Sequence, residues 1–465
     1  MRGRTMREQV DRRAFLSRLG VVAGSAAVGA SLVDVASPRP AGAAEPPRGQ
    51  VPGTPVKFGH ITFMSGPGAV LGEQSWKGHL LAVEEINAEG GFLGKRKIET
   101  MVSDEAAGPD ANVKEIRRMK LSAGIEWFTG IIAVNNQIAI AKVAEELKLP
   151  TFMTEGCGDM LFETVVPNPH YVFASNNILS ADGVSSAIMV GRYWPQVRKI
   201  AHLHPDYGFG RYMHAHFNVA IEKLLPGTQV VSEGWPKLFE RDFIPHITKI
   251  LAAKPDLLYT SLWGGDYIGF YKQALRFGLF DKMKVCASTA FAIPPNALGK
   301  DHPEGIIAGV HSNYHFSHPP GEQWPLNRQF VQRFNTRWKE YPTIAAESAY
   351  TGMYFIKAAV EKANRMLGGW PDPEAVIAML EGLSLAAPAG YVHIRSDHRA
   401  FKDVVVGFSK NVPEYPYPVW DPDRVVTIPI QKVTAPPDWP KPGQGHNDMS
   451  ATYNWIKTSW PKVSG

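Results

Sequence analysis

Residues 63–95 read FMSGPGAVLGEQSWKGHLLAVEEINAEGGFLGK. A β-rich run over residues 56–64 leads into this stretch and breaks on Ser65-Gly66-Pro67-Gly68. A helix then carries apolar residues at Trp76, Leu80, Val83 and Ile86 and stops at Gly90-Gly91. Strand, glycine turn and helix, in that order, build a pocket at the carboxyl end of a parallel strand.

The alternation continues outward from this unit. Residues 98–103, 127–133, 150–154 and 171–174 are β-like, and helices are expected over 111–121 and 137–147. The rhythm then restarts, with helices over 181–193, 211–224, 244–253 and 267–277. Strands at 199–204, 229–234, 257–261 and 284–287 interleave with them. Strands spaced by helices of this length imply right-handed βαβ units on parallel sheets, and two runs imply two doubly wound lobes. Two long helices, 327–340 and 346–366, follow a strand at 305–312 and come too late for the second succession.

The string S-G-P-x-x-x-x-G, followed by G-x-x-L-A-V-x-E-I-N-x-x-G-G-x-x-G-K, resembles the opening of the branched-chain amino-acid type periplasmic binding proteins. These are solute receptors of ATP-driven (ABC) importers, and the resemblance spans about residues 55–410. It implies an α/β Venus-flytrap of the type I kind, with two lobes joined by a multi-crossover hinge. On that reading lobe 1 is 55–175 plus about 313–390, and lobe 2 is 176–312 plus about 391–415. Residues 416–465 are rich in Pro and Trp and read as an extended tail packed over a lobe.

The N-terminus fits an exported protein. Asp11-Arg12-Arg13-Ala14-Phe15-Leu16 holds the R-R-x-F-L core of a twin-arginine signal, followed by a modest apolar run and a small-residue cleavage site at Ala41-Gly42-Ala43. The expectation is a signal over 1–43, cleaved to leave a periplasmic protein. Cys157 is the first cysteine, so no lipid-modified N-terminus is expected. Seven arginines against Glu8, Asp11 and Asp34 give residues 1–43 a charge of +4 out of the chain's +5. The remainder is near neutral and gives no reason to expect nucleic-acid binding. Cys157 and Cys286, placed at strand ends in different lobes, are expected as two buried free thiols.

Enzyme motifs are lacking. Gly66-Pro67-Gly68-Ala69-Val70-Leu71-Gly72 is one residue too long for a dinucleotide loop, and Gly208-Phe209-Gly210 puts Met213 where a third glycine is needed. His311, His315 and His318, with His302 nearby, lie in the segment GVHSNYHFSHPP, a strand followed by a Pro-rich loop with no cysteine or acidic residue of its own, and read as surface and hinge histidines rather than a metal site. His204 closes a strand, where a cleft contact is open to it. No cofactor is expected.

What remains is binding outside the carboxyl ends of the strands. There the candidate ligand contacts are Ser65, Gly66, Val134, Asn135, Asn136, Thr154, Glu155 and Cys157 on one lobe. Tyr207, Trp263 and Thr289 face them from the other. Helix N-termini near Asn136 and Gly158 offer N–H donors to an anionic group. The resemblance implies a hydroxyl residue at the position of Val134, a threonine at Gly158, an acidic residue near Thr289 and an aromatic cover near Leu71. Those anchors of a free α-amino acid are absent, while Tyr207 and Trp263 match aromatic cleft positions. The expected ligand is therefore a small organic molecule such as an aromatic or aliphatic acid, an amide or a urea-like compound. The expected partner is an ABC permease of the inner membrane, served by a monomer. A periplasmic sensor for a membrane receptor, or an exported enzyme, are the alternatives.

Overall fold

The computed structural model describes residues 49–156, 158–442 and 449–460. The expected export signal and Cys157 lie outside the described residues.

The first lobe winds β1 (Val56–Thr62), α1 (Ala69–Ala88), β2 (Ile98–Asp104), α2 (Pro109–Leu121), β3 (Trp127–Gly130), α3 (Val134–Glu146), β4 (Thr151–Met153) and β5 (Val172–Ala174). All five strands are parallel in the order β2-β1-β3-β4-β5. The order reverses between β1 and β3, so a crevice opens at their carboxyl ends. Phe58 and Ile61 on β1 are fully buried, as befits a strand covered on both faces.

The second lobe runs α4 (Ser180–Tyr193), β6 (Lys199–Leu203), α5 (Gly208–Leu224), β7 (Gln229–Gly234), α6 (Ile244–Ala253) and β8 (Leu257–Thr260). It continues through α7 (Gly264–Arg276), β9 (Lys284–Ala287), α8 (Pro295–Leu298) and β10 (Ile307–Gly309). Next come α9 (Pro325–Trp338), α10 (Ile344–Leu367), α11 (Pro373–Leu380), and the strands β11 (Ser384–Ala387), β12 (Gly390–Ile394) and β13 (Ala400–Phe401). The chain ends with β14 (Val404–Lys410), β15 (Val419–Ile428) and α12 (Ala451–Ser459). The second sheet has the order β15-β14-β10-β9-β8-β6-β7, parallel from β10 to β7 and antiparallel at β14 and β15.

The late helices return to the first lobe. Phe330, Phe334, Met353 and Phe355 share a core with Phe58, Phe152 and Phe173. Gly78 on α1 is where α10 passes closest, since a Cβ there would overlap the Ala346 carbonyl. This glycine of the opening string therefore serves helix packing. The chain crosses between lobes after β5, after β10 and after β13.

Two expectations about boundaries need correction. Val392, Ile394 and Ala400 belong to the first lobe's core, whereas the sequence reading gave about 391–415 to the second. Residues 416–465 are not simply extended. They hold a ten-residue strand on the edge of the second sheet and a nine-residue helix. Proline density hid both elements, yet Ser450 caps the helix by accepting from the Tyr453 N–H, and Trp455 and Ile456 are buried beneath it.

Candidate functional site

The carboxyl ends of the two sheets face one another across a narrow, largely filled cavity of about 30 Å³. The first lobe supplies Leu71 from α1, Ile132 and Val134 after β3, and Glu155 and Gly156 after β4. The second supplies Leu179, Tyr207, Phe209, Trp263, Thr289 and Ala292, and His311 stands just past β10 at a crossover. Val134, Glu155, Tyr207, Trp263 and Thr289 are thus brought together from distant stretches of sequence.

The other candidates go elsewhere. The Ser65 hydroxyl donates to Asp104 at 2.6 Å, and Gly66 is exposed at φ 70°. Their turn meets the second lobe directly, the Gly265 N–H donating to the Pro67 carbonyl at 3.1 Å. Asn135 is exposed, and the Asn136 amide donates to Glu105 at 2.9 Å. Thr154 is buried, its hydroxyl 3.4 Å from that of Ser75. His204 is buried too, held by the Ser261 hydroxyl at 2.7 Å and by His202 at 3.1 Å, and does not line the cavity.

Phe209, Leu179 and His311 escape the sequence reading. Phe209 sits in a Gly-Phe-Gly string that reads as a backbone loop, but this string begins α5 and puts a ring on the wall. His311 obeys the strand-end rule, yet its spacing from His315 and His318 directs attention to metal binding instead. These histidines are not on the surface: His302, His311 and His315 are all buried. His315 lies against Phe291 and Trp420, and among the described residues no three metal-ligating side chains converge.

Charge around the cavity is internally matched. Glu105 accepts from the N–H groups of Ile132 and Ala133, both at 2.8 Å, and from the Asn136 amide. The α3 N-terminus expected to hold an anion therefore already holds one of the protein's own carboxylates. Burial pushes Glu105 up to about 7 despite these donors. His311 pairs through Nδ1 with Asp182, and both are buried. Burial works against the imidazolium, but Asp182 outweighs it and raises the histidine above its ordinary value. The Lys402 ammonium meets Glu347 at 3.1 Å with both side chains fully buried. Glu155, on the cavity wall, is pushed up to about 7 by burial, against the pull of His311 and Lys402.

The remaining polar groups have defined roles. Thr289 donates its hydroxyl to the Leu262 carbonyl at 2.9 Å, leaving its oxygen as an acceptor. The Trp263 indole N–H donates to the Tyr207 hydroxyl at 3.0 Å, fixing two aromatic walls in one orientation. Gly156 must be glycine, because a Cβ there would overlap His311 Nε2.

Residues 55–410 match the family model described as periplasmic binding protein. A Leu/Ile/Val-binding protein homolog of Brucella melitensis biotype 1 is 24% identical over 351 residues, covering 72% of this chain and 83% of its own length. The solute-binding protein of an ABC transporter from Rhodopseudomonas palustris BisB5, solved with 3,4-dihydroxybenzoic acid, superposes with a TM-score of 0.68 at 21% identity. It covers 81% of this chain and 98% of the relative. A leucine-binding protein from Thermotoga maritima MSB8 gives 0.67 at 19% identity, covering 80% and 99%. With two parallel-sheet lobes, a crossover hinge and a family match over most of its length, the chain belongs to the periplasmic binding proteins of the branched-chain amino-acid type.

Proposed function

We propose that this protein is the extracytoplasmic receptor of an ABC importer. It captures a small organic solute between its lobes and delivers it to an inner-membrane permease. The observation that carries this reading is the shared cavity, to which each lobe contributes about half the wall. A solute touching both halves favours the closed hinge by its differential contact with the two states. The Gly265 N–H to Pro67 carbonyl hydrogen bond, at 3.1 Å, joins the two lobes beside the cavity.

Val134, Glu155, Tyr207, Trp263 and Thr289 hold the solute, the two aromatic residues covering a flat or apolar body. A relative solved with 3,4-dihydroxybenzoic acid and one named a leucine-binding protein support a small organic solute. The missing α-amino-acid anchors at Val134, Gly158 and Thr289 favour a solute without an α-ammonium. The protein acts as an exported monomer with no catalytic residue and no cofactor.

A thermal-shift screen of small organic solutes tests this. A true solute raises the melting temperature in proportion to RT ln(1 + [L]/Kd) and is recovered unchanged. Trp263→Ala weakens that solute by about 2 kcal/mol or more. Chemical conversion of the compound would overturn the receptor reading in favour of an exported enzyme.

A further inference from the structure

The first lobe holds a second and larger cavity. It measures about 220 Å³, against about 30 Å³ between the lobes, and shares no residue with the interlobe site. Leu326, Phe330 and Arg333 face it from α9, spaced as one helical stripe. Tyr350 and Tyr354, a turn apart on α10, form a second wall, and β11 closes a third with Leu385. The aromatic walls are fixed in place. The hydroxyls of Tyr350 and Tyr354 both donate to Glu85, at 2.6 and 2.8 Å, and the Phe330 ring lies 4.7 Å from that of Tyr350. Neither tyrosine can swing inward to fill the space without giving up that carboxylate. Aromatic surface continues beyond the cavity. Tyr391, in register with Ala386 of the cavity wall, is 74% exposed and lies against Trp324. An exposed aromatic patch beside a rigid concave site marks a place where ligands bind.

Arg333 sets the chemistry of this cavity. Its Nη1 donates to Glu85 at 3.1 Å, and the rest of its fork of N–H donors is open to a second acceptor. The Gln329 amide, one turn before it, offers a further donor. Glu85 is not part of the cavity wall and already accepts from three groups, so the charge that faces a ligand is that of Arg333. We propose that this cavity is a second ligand site, for a single-ring aromatic compound whose substituent carries an oxygen acceptor. The ring packs against Phe330, Tyr350 and Leu385, and the oxygen takes the open edge of the Arg333 guanidinium. The size fits, since an apolar cavity of about 150 Å³ is enough for benzene. All the walls belong to the first lobe, so binding here does not require the hinge to close.

Three probes of similar size test this by fluorine NMR titration into the full-length protein: 4-fluorobenzamide, 4-fluorobenzoate and 4-fluorobenzylamine. The first two carry an oxygen acceptor; the third carries an ammonium, which meets Arg333 as a like charge. Each acceptor probe should bind at least about tenfold more tightly than the amine. Leu326→Trp and Ala386→Phe each place a ring in the cavity from an exposed position, and each should weaken the acceptor probes about tenfold or more. Arg333→Leu should bring those probes down to the level of the amine. A crystal grown with 4-bromobenzoate locates the site through the anomalous scattering of bromine, expected between α9, α10 and β11. Bromine found only between the lobes, binding that survives in a folded plugged variant, an amine that binds equally well, or no binding by any probe overturns the proposal. None of these outcomes bears on the receptor reading, which the wider solute screen tests by itself.

Discussion

Gly156 shows how far a single residue constrains the site. The His311 ring lies against its Cα, so any side chain there must push the imidazole off Asp182. Gly156→Ala should destabilise the protein by about 1–3 kcal/mol, as overpacking commonly does. It should also lower the His311 pKa, since the raising effect of Asp182 is lost. Urea unfolding and histidine NMR titration check the two effects; an unchanged titration would mean that the ring does not move. Tyr207, Trp263, Glu155, Val134 and Thr289 were legible because each stands just past a strand whose apolar pattern is plain. Glu105 was not legible. It follows β2 and bends back to bind amides 27 and 28 residues away, and no local pattern encodes such a contact.

At the scale of elements, most parallel strands were legible to within a residue or two. Those expected at 127–133 and 305–312 overrun by three residues, and β11, β13 and β15 were not read. Several helices begin earlier than their periodicity suggests. α3, α5 and α7 start at Val134, Gly208 and Gly264 rather than at 137, 211 and 267. Glycine and asparagine in these first turns disguise the start, since both are weak helix formers. The tail is the element least visible beforehand, and it lies beyond the family match. It joins the lobes. On the second lobe the Tyr212 hydroxyl donates to the Met449 carbonyl at 2.9 Å, and His216 meets the Ser450 hydroxyl at 2.6 Å. On the first lobe the Ala451 N–H donates to Glu163 at 2.8 Å, and Lys441 donates to the Pro167 carbonyl at 2.6 Å. Such a strap favours whichever hinge angle satisfies both ends. Truncation after residue 434 should therefore weaken solute binding by about tenfold, each hydrogen bond being worth about 1 kcal/mol. It should also widen the solute-free molecule in X-ray scattering. Equal affinity in the truncated protein would reduce the strap to a stabilising appendage.

For the whole molecule, two opposing sets of buried groups shape the response to pH. Burial holds His60, His79, His202, His204, His302 and His315 well below their ordinary 6.5. Their neutral state is bound to folding, so their contribution is complete above 6.5 and is lost as the pH falls. Burial raises Glu105, Glu155 and Asp266 to about 7 and Glu163 to about 8. For these acids the contribution is complete below the ordinary carboxyl value near 4.5 and is lost as the pH rises through 7 to 8. The melting temperature should accordingly rise as the pH drops from 8.5 to 6.5, change little down to about 4.5, and fall steeply below that. Differential scanning fluorimetry across this range is the check, and a maximum at or above pH 8 would contradict the assignment of these groups.

Glu105 also bears on what surrounds the protein. An internal carboxylate competes for the two amides at a high effective concentration that no dissolved acid can dilute away, commonly millimolar or more for groups tethered on one chain. A bath rich in small organic acids thus leaves these amides untouched. On the receptor reading, the protein meets its solute against that background without first having to evict acids from these amides.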